Sequence, residues 1–347
     1  MFARMLGLSC ARLDASNAPE VGQAATLLRV AKSSPDLSAS AANLAPLARF
    51  APRSVAFKHT ERNILGSGEG NVPDRRSIFP RGVEGTIRAY VNCAQRAEQA
   101  GYDGVEIAPF ALAPSVEDIS AARRDEIRAA AEKAGVEIVG LHWLLASPEG
   151  LYITHPDPEI YQRTCAYFKA LVQFCGDLGG EVMIIGSPMQ RNVQEGWDYQ
   201  ECWDRMRGAL EGGLQLAEQY GVYLCMEALS KEQTNIVSTC AEAREMVAQI
   251  NHSNFQTMVD VCSGSSEETP VNQLLRDSGE HLYHVHVNDA NKRGPGFGQT
   301  DFVSVMRTLN ELNYQRYVSV EVFDFAPDPR SIATGSLHYL KGIAAAL

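Results

Sequence analysis

Between residues 102 and 322 the chain alternates short β-branched runs with amphipathic stretches of helical length. The short runs are YDGVEI, VEIVGLHW, EVMIIG, VYLCME, FQTMVD, LYHVHVND and YVSVEV, and SVAF at 54–57 is a candidate first strand. Three of the helical stretches stop at a glycine just before the next strand, namely Gly101, Gly135 and Gly221. Strands that alternate with helices in this way pair in parallel. The pattern predicts eight strands, each followed by a helix.

Eight such units over about 290 residues predict a (β/α)₈ barrel, which we assign to residues 54–347. The alternative is a doubly wound sheet, which requires a glycine-rich phosphate turn between its first strand and the following helix. LGSGEGN at 65–71 is the only candidate for that turn, and no helical pattern follows it directly. The recurrence of helix-ending glycines therefore favours one regular barrel.

Residues 1–53 have a different composition, rich in Ala, Ser, Leu and Arg and without a clear strand pattern. Such a composition is typical of a poorly structured extension or of a targeting segment. We predict an N-terminal extension on a cytoplasmic protein, with import into an organelle as the alternative.

The charge distribution excludes several classes of partner. The net charge is −11, and residues 1–60 carry five Arg and two Lys against three acids, so residues 61–347 carry −15. An acidic body argues against a nucleic-acid groove and against binding to anionic membranes. The chain also lacks the run of about 18 apolar residues that a transmembrane helix needs.

The eight cysteines contain no C-x-x-C pair. Several lie in apolar stretches, which indicates reduced, buried side chains in a cytosol-like compartment. A zinc site made of cysteines is therefore not expected.

Four consecutive predicted strands end in side chains that can bind a metal, which are Glu227, Asp260, His286 and Glu321. Barrel active sites lie at the carboxyl ends of the strands, and adjacent strands are about 4.8 Å apart. Three carboxylates brought together repel one another unless a cation holds them. Three carboxylates and one imidazole suit Mn²⁺, Mg²⁺ or Co²⁺, and Mn²⁺ is our first expectation.

Further polar residues are placed where they could contact a substrate. His142 ends the third strand, and Ser187 follows the fourth in GSPMQRN. Glu106 ends the second strand and is a candidate for substrate binding or for support behind the ligands. Lys292 and Arg293, on the long loop after the seventh strand, are candidate contacts for a substrate hydroxyl or phosphate.

Two neighbours of this loop receive different predictions. His284 points to the same side of its strand as His286 but lies one layer deeper, so we expect a hydrogen-bonded core histidine. Phe297, in the glycine-proline stretch, is hypothesised to fold over the site and exclude water.

Four stretches of the chain resemble sequences of a known family: GLHWLLASPEGLYITHPD, GSPMQRNV, HVNDANKRGPGFGQTDF and SVEVFDF. The chain resembles the xylose isomerase-like TIM-barrel superfamily, in particular sugar (phosphate) isomerases and epimerases related to the ketose 3-epimerases. The resemblance extends from about residue 102 to 325. It implies that the four strand-end residues bind a divalent metal, that the two glutamates transfer protons, and that the protein is a homo-oligomer.

The sequence departs from the resembled family at three positions. Ser263 stands where those epimerases have a histidine, and Lys292 stands where they have an arginine, with Arg293 next to it. Gln233 occupies the position of a substrate-binding glutamate, so it is our candidate for that contact. These departures leave the particular substrate open.

The predicted function is that of a divalent-metal-dependent sugar isomerase or epimerase acting on a small sugar. It would move a proton next to a ketose carbonyl through an enediolate, with Glu227 and Glu321 serving opposite faces. The alternatives are a hydroxypyruvate isomerase, an inosose dehydratase or a sugar lyase with the same metal site, and a barrel without turnover.

Overall fold

The computed structural model describes residues 53–56, as a strand, and residues 94–347. Eight parallel strands form a closed barrel in which the strands follow one another in chain order. The first strand pairs with both the second and the eighth, which closes the ring. The predicted (β/α)₈ barrel is confirmed. The predicted extension at residues 1–53 lies outside the described residues apart from its last residue, Arg53.

The strands agree with the predicted runs to within a few residues at each end. They are β1 Arg53–Ala56, β2 Gly104–Ile107, β3 Glu137–Leu141, β4 Val182–Ile185, β5 Tyr223–Glu227, β6 Phe255–Asp260, β7 Leu282–Val287 and β8 Tyr317–Val320. Because β8 ends at Val320, Glu321 is the first residue beyond the strand.

The helices pack around this barrel. They are α1, described over residues 94–100, α2 Ala121–Ala134, α3 Pro158–Asp177, α4 Tyr199–Tyr220, α5 Cys240–Ile250, α6 Val261–Gly264, α7 Val271–Ser278, α8 Phe302–Glu311 and α9 Pro329–Ala346. The sequence predicted a helix after each strand but gave no residue range for α6, α7 or α8. These helices have four, eight and ten residues, which is shorter than the window of about 11 residues over which a helical period is read.

Side-chain caps fix where most helices begin. A Ser, Thr or Asp side chain accepts a hydrogen bond from a first-turn backbone N–H in each of these caps: Ser120, Asp157, Asp198, Thr239, Asp301 and Asp328. The predicted cap of α5 is a full capping box between Thr239 and Glu242. The predicted glycine stops are also confirmed, because Gly101, Gly135 and Gly221 have φ of 93°, 76° and 67°.

The barrel interior has an apolar floor beneath a polar rim. A buried cluster, separate from the main core, contains Val139, Ile184, Cys225 and Met258 among its members. Alternate residues of a strand face the same side, so Cys225 lies below Glu227 and Met258 lies below Asp260. The strand ends therefore carry polar groups toward one centre above a packed floor.

Among the described helices, none combines the length and the hydrophobicity that crossing a membrane requires. The six described cysteines are free and form no disulfide with one another.

Replacing Gly140 by alanine tests how closely the strands approach. Gly140 pairs with Val182, and a Cβ at this position would overlap the carbonyl group of Val182. Backbone cannot move aside without disturbing the sheet, so Gly140→Ala should lower the free energy of unfolding by about 2–3 kcal/mol. The urea unfolding midpoint measures this loss.

Gly342→Ala is the matched control, because a Cβ at Gly342 on α9 would meet no atom within 4 Å. Its midpoint should stay unchanged or rise, since alanine favours a helix over glycine by about 0.5–1 kcal/mol. Equal midpoints for the two variants would contradict the close approach of β3 and β4.

Candidate metal centre

The four predicted metal ligands converge at the carboxyl end of the barrel. Glu227 ends β5, Asp260 ends β6, His286 is the penultimate residue of β7, and Glu321 follows β8. One ligand atom from each lies within 4.8 Å of the others. All four residues are buried, with exposed fractions of 1–6%. The sheet register brings two of these residues together, because Asp260 and His286 are partners on adjacent strands.

The pKa values of these residues reflect their burial and their mutual charge. Burial and the carboxylates of Glu321 and Glu227 raise the pKa of Asp260 to about 7. Burial opposes a charge on His286, but the carboxylates of Glu321 and Glu106 raise its pKa well above the usual value. Burial also opposes a charge on Glu321, yet its pKa is lowered, mainly by His286. The site therefore has an excess of negative charge that a cation would neutralise.

The carboxylate of Asp260 provides a test of whether a cation fits. Its Oδ1 accepts a hydrogen bond of 2.6 Å from the backbone N–H of Ser263. Its Oδ2 is buried and has no hydrogen-bond partner among the described residues. A buried acceptor without a partner costs about 1–3 kcal/mol. The four residues present oxygen and imidazole donors of the kind that hold a hard divalent cation, so they fit such an ion.

His286 faces this centre with Nδ1. That atom is 3.0 Å from Glu321 Oε2 and 3.7 Å from Glu227 Oε1. The other ring nitrogen, Nε2, points away and lies 3.1 Å from Glu106 Oε2. His284 lies below and is completely buried, with its Nε2 at 3.0 Å from Ser319 Oγ. His284 is thus the hydrogen-bonded core histidine that the sequence predicted.

Two residues that the sequence did not single out hold Glu227 in place. Gly186 directly follows β4, and a Cβ there would overlap Glu227 Oε2. Arg191 is 2% exposed, and its guanidinium donates to the carbonyls of Ile185 at 3.1 Å, Glu227 at 2.9 Å and Val237 at 3.3 Å. These bonds tie the end of β4 to the end of β5. Burial lowers the pKa of Arg191 to about 10, so the group remains charged at neutral pH.

An open pocket lies over the converging residues. Glu227, His286 and Glu321 line it, as do two predicted substrate-binding residues, His142 and Gln233. His142 Nδ1 lies 3.6 Å from Glu321 Oε1, which brings this histidine to the candidate centre.

The pocket also has apolar walls. Trp143, Leu229 and Phe323 are among the residues that line it. Phe323 lies in SVEVFDF, two residues after Glu321, so its position on the same rim was accessible from the sequence but was not predicted. Trp143 has φ of 53°, in the left-handed region that a bulky residue rarely adopts.

Two other candidates lie behind the pocket rather than on its surface. Ser187 Oγ accepts a hydrogen bond of 3.3 Å from the backbone of Leu145 and lines a second, mainly apolar pocket. Glu106 lies beneath His286. The structure does not bring either residue to the lining of the pocket over the metal centre, and the substrate role of Ser187 stays a prediction.

The predicted cations on the loop after β7 do not line this pocket either. Arg293 Nε donates to Asp324 Oδ2 at 2.8 Å. Lys292 has φ of 66°, and its carbonyl accepts hydrogen bonds from the backbone of Phe323 and Asp324. Through these contacts the two residues fasten the β7 loop to the segment after β8, and their substrate roles stay predictions.

The hypothesis that Phe297 folds over the site is wrong. Its ring packs against the main core and lies so close to Gly335 on α9 that a Cβ there would be 2.7 Å from it. The glycine leaves room for the ring, and Phe297 therefore anchors the loop on α9.

Comparison with known proteins gives consistent results. The family model for the xylose isomerase-like TIM barrel matches residues 94–343. A D-psicose 3-epimerase of Ruminiclostridium cellulolyticum is 26% identical over 233 residues, which cover 66% of this chain and 76% of that protein. A fructoselysine 3-epimerase of Shigella flexneri is 23% identical over 265 residues, covering 71% and 90%.

A crystal structure of D-psicose 3-epimerase with D-tagatose, from Clostridium cellulolyticum H10, has the same fold. It superposes with a TM-score of 0.65 and 20% identity, over 74% of this chain and 93% of the other. The relatives are named epimerases, in agreement with the isomerase class that the sequence predicted.

Removing one candidate ligand tests the metal centre. We expect the full chain to bind one Mn²⁺, measured from the electron paramagnetic resonance signal of free Mn²⁺. Loss of a hydrogen-bond partner behind a metal ligand typically raises the dissociation constant by about 10- to 100-fold. Asp260→Asn removes a ligand itself, so it should raise the Mn²⁺ dissociation constant by more than that. The variant removes a carboxylate oxygen while keeping the size of the side chain.

Asp277→Asn serves as the control, because this exposed residue on α7 bonds only to Gln273 among the contacts described. It should bind Mn²⁺ as the wild type does. Wild-type affinity in Asp260→Asn would show that the ion, if bound, lies elsewhere.

Proposed function

Because the chain belongs to the xylose isomerase-like TIM-barrel family, we propose that it is a divalent-metal-dependent sugar epimerase or isomerase. The reaction is a proton transfer at the carbon next to a ketose carbonyl. The observation that carries this proposal is the convergence of Glu227, Asp260, His286 and Glu321 within 4.8 Å beneath an open pocket.

The proposed cation is Mn²⁺, with Mg²⁺ and Co²⁺ as alternatives, held by these four residues. Three carboxylates and one imidazole suit these ions better than they suit thiolate-preferring metals. When bound, a divalent cation supplies positive charge that polarises a carbonyl oxygen and stabilises the negative charge developing on it.

Glu227 and Glu321 are the proposed proton-transfer groups. A proton on carbon next to a carbonyl is a weak acid, so a carboxylate must be held within reach of it. The two glutamates line the pocket from the ends of nonadjacent strands, β5 and β8. One carboxylate takes the proton and the other returns a proton to the opposite face of the same carbon, which inverts its configuration. Return to the neighbouring carbon gives aldose–ketose isomerisation instead.

The pocket lining supports a neutral sugar as the substrate. The lining combines a few polar groups with apolar and aromatic walls, as small-molecule sites do. His142 and Gln233 offer polar contacts, whereas Trp143 and Phe323 offer apolar surface for the carbon skeleton. Within the described part of the chain, the lining includes neither Lys nor Arg, the side chains that would hold a phosphate.

Deuterium exchange tests the proposed proton transfer. The Mn²⁺-loaded chain should act in D₂O on at least one sugar of a panel of D-fructose, D-psicose, D-tagatose and hydroxypyruvate. Nuclear magnetic resonance should detect deuterium at the carbon next to the carbonyl. Glu227→Gln and Glu321→Gln should each lower kcat by about 10²–10⁴-fold, because general acid–base catalysis contributes that much.

Glu218→Gln is the matched control, since this glutamate is exposed on α4. It should leave kcat unchanged. A wild-type chain that binds Mn²⁺ yet exchanges no proton on any sugar, or a Glu227→Gln variant with full activity, would overturn the proposed function. Turnover of hydroxypyruvate alone would identify that isomerase instead of a ketose epimerase.

A further inference from the structure

A hydrogen-bonded cluster of Glu106, His284 and Ser319 lies directly beneath His286. The carboxylate of Glu106 extends from β2 to reach side chains on β7 and β8. Its Oε2 is 3.1 Å from His286 Nε2, and its Oε1 is 2.6 Å from His284 Nε2. Ser319 Oγ also donates to Oε1. Each of these four residues is at most 5% exposed.

Burying an acid at this position lowers the stability of the fold, which suggests a functional role for Glu106. A buried carboxylate costs several kcal/mol relative to water, even when paired, and an apolar side chain of similar volume is often at least as stabilising. The neighbours of Glu106 on β2, Val105 and Ile107, are apolar and buried. By the alternation of a strand, Glu106 points to the opposite face from these two apolar residues, toward the histidines.

The two nitrogens of His286 have different partners. Nδ1 faces the candidate metal centre, at 3.0 Å from Glu321 and 3.7 Å from Glu227. Nε2 faces Glu106, and an ionised carboxylate accepts hydrogen bonds but cannot donate one. A cation at the centre would take the lone pair of Nδ1, so the single proton of the neutral imidazole would then sit on Nε2, where the carboxylate of Glu106 accepts it.

We propose that Glu106 is a positioning residue that fixes the tautomer and ring orientation of His286, so that Nδ1 is available to a cation. Of the two roles that the sequence suggested for Glu106, substrate binding or support behind the ligands, this is the second. The inference rests on the metal centre of the proposed function, because a ligand needs positioning only if an ion binds.

His284 and Ser319 hold the carboxylate in turn. Both contact Oε1, which leaves Oε2 to His286. Ser319 and His286 are partners in the β7–β8 register, and His284 lies two residues earlier on the same face of β7. The carboxylate cannot rotate without losing contacts to two strands, so His286 is held from β2, β7 and β8 together.

The test variant is Glu106→Gln, which keeps the shape of the side chain but offers one acceptor oxygen where the carboxylate has two. It cannot accept from His284 and His286 simultaneously through separate oxygens. We expect its Mn²⁺ dissociation constant, measured by electron paramagnetic resonance, to rise by about 10- to 100-fold. Glu137→Gln is the control, because Glu137 accepts a hydrogen bond from Tyr317 at the opposite end of the barrel, and Mn²⁺ affinity should not change.

A second measurement separates positioning from packing. In the Mg²⁺-loaded chain with ¹⁵N-labelled histidine rings, His286 should carry its proton on Nε2, with the downfield shift of a charge-assisted hydrogen bond. The signal is assigned by its loss in His286→Gln. In Glu106→Gln this downfield signal should disappear, whereas a purely structural role would leave it in place.

The outcomes distinguish this inference from the function on which it rests. If the wild type binds neither Mn²⁺ nor Mg²⁺, the metal centre and the role of Glu106 are both wrong. If the wild type binds Mn²⁺ and Glu106→Gln binds it equally well, only the positioning role is overturned. A wild-type His286 protonated on Nδ1 in the Mg²⁺-loaded chain overturns it too, whether or not the variant folds.

Discussion

Three buried carboxylates repel one another at the carboxyl end of the barrel, and the arrangement of the surrounding site follows from this repulsion. Glu227, Asp260 and Glu321 lie within 4.8 Å of one another through their ligand atoms, and none is more than 6% exposed. The single imidazole between them does not balance their charge, and burial together with the carboxylates of Glu321 and Glu227 raises the pKa of Asp260 to about 7. A divalent cation would resolve this conflict, and under the proposed function the same cation would supply the charge that chemistry next to a carbonyl requires.

The surrounding scaffold is arranged to keep these side chains in place. Gly186 leaves the space that Glu227 occupies, and Arg191 binds the backbone at the ends of β4 and β5. Glu106 holds the far side of His286. Arg191 and Glu106 do not line the pocket, and Gly186 has no side chain. The positions of Glu227 and His286 therefore depend on residues whose side chains are not at the pocket surface. The apolar floor below, with Cys225 and Met258, provides packing stability.

Features that depend on residues close together in the chain could be predicted from the sequence, whereas contacts between distant residues could not. The strands follow from short β-branched runs, and the four candidate ligands follow from their positions at the ends of those runs. Both patterns are visible within a few residues of sequence. The contact of Glu106 with His286 spans 180 residues, and no local pattern reveals it. Arg191 lies in GSPMQRNV, but its burial could not be predicted, because its partners are mainly backbone carbonyls, which any sequence provides. The ion pair of Arg293 with Asp324 forms only in the folded chain and was not predicted, whereas the substrate role of Arg293 stays a prediction.

The most direct test of this account is anomalous diffraction at the manganese edge from crystals of the full chain grown with Mn²⁺. We expect one strong peak with oxygens of Glu227, Asp260 and Glu321 and Nδ1 of His286 all within about 2.0–2.5 Å, the range of bonds to hard divalent ions. A map without a peak there, or a peak whose ligands come from other residues, would contradict the central claim that the tips of β5–β8 form one metal centre.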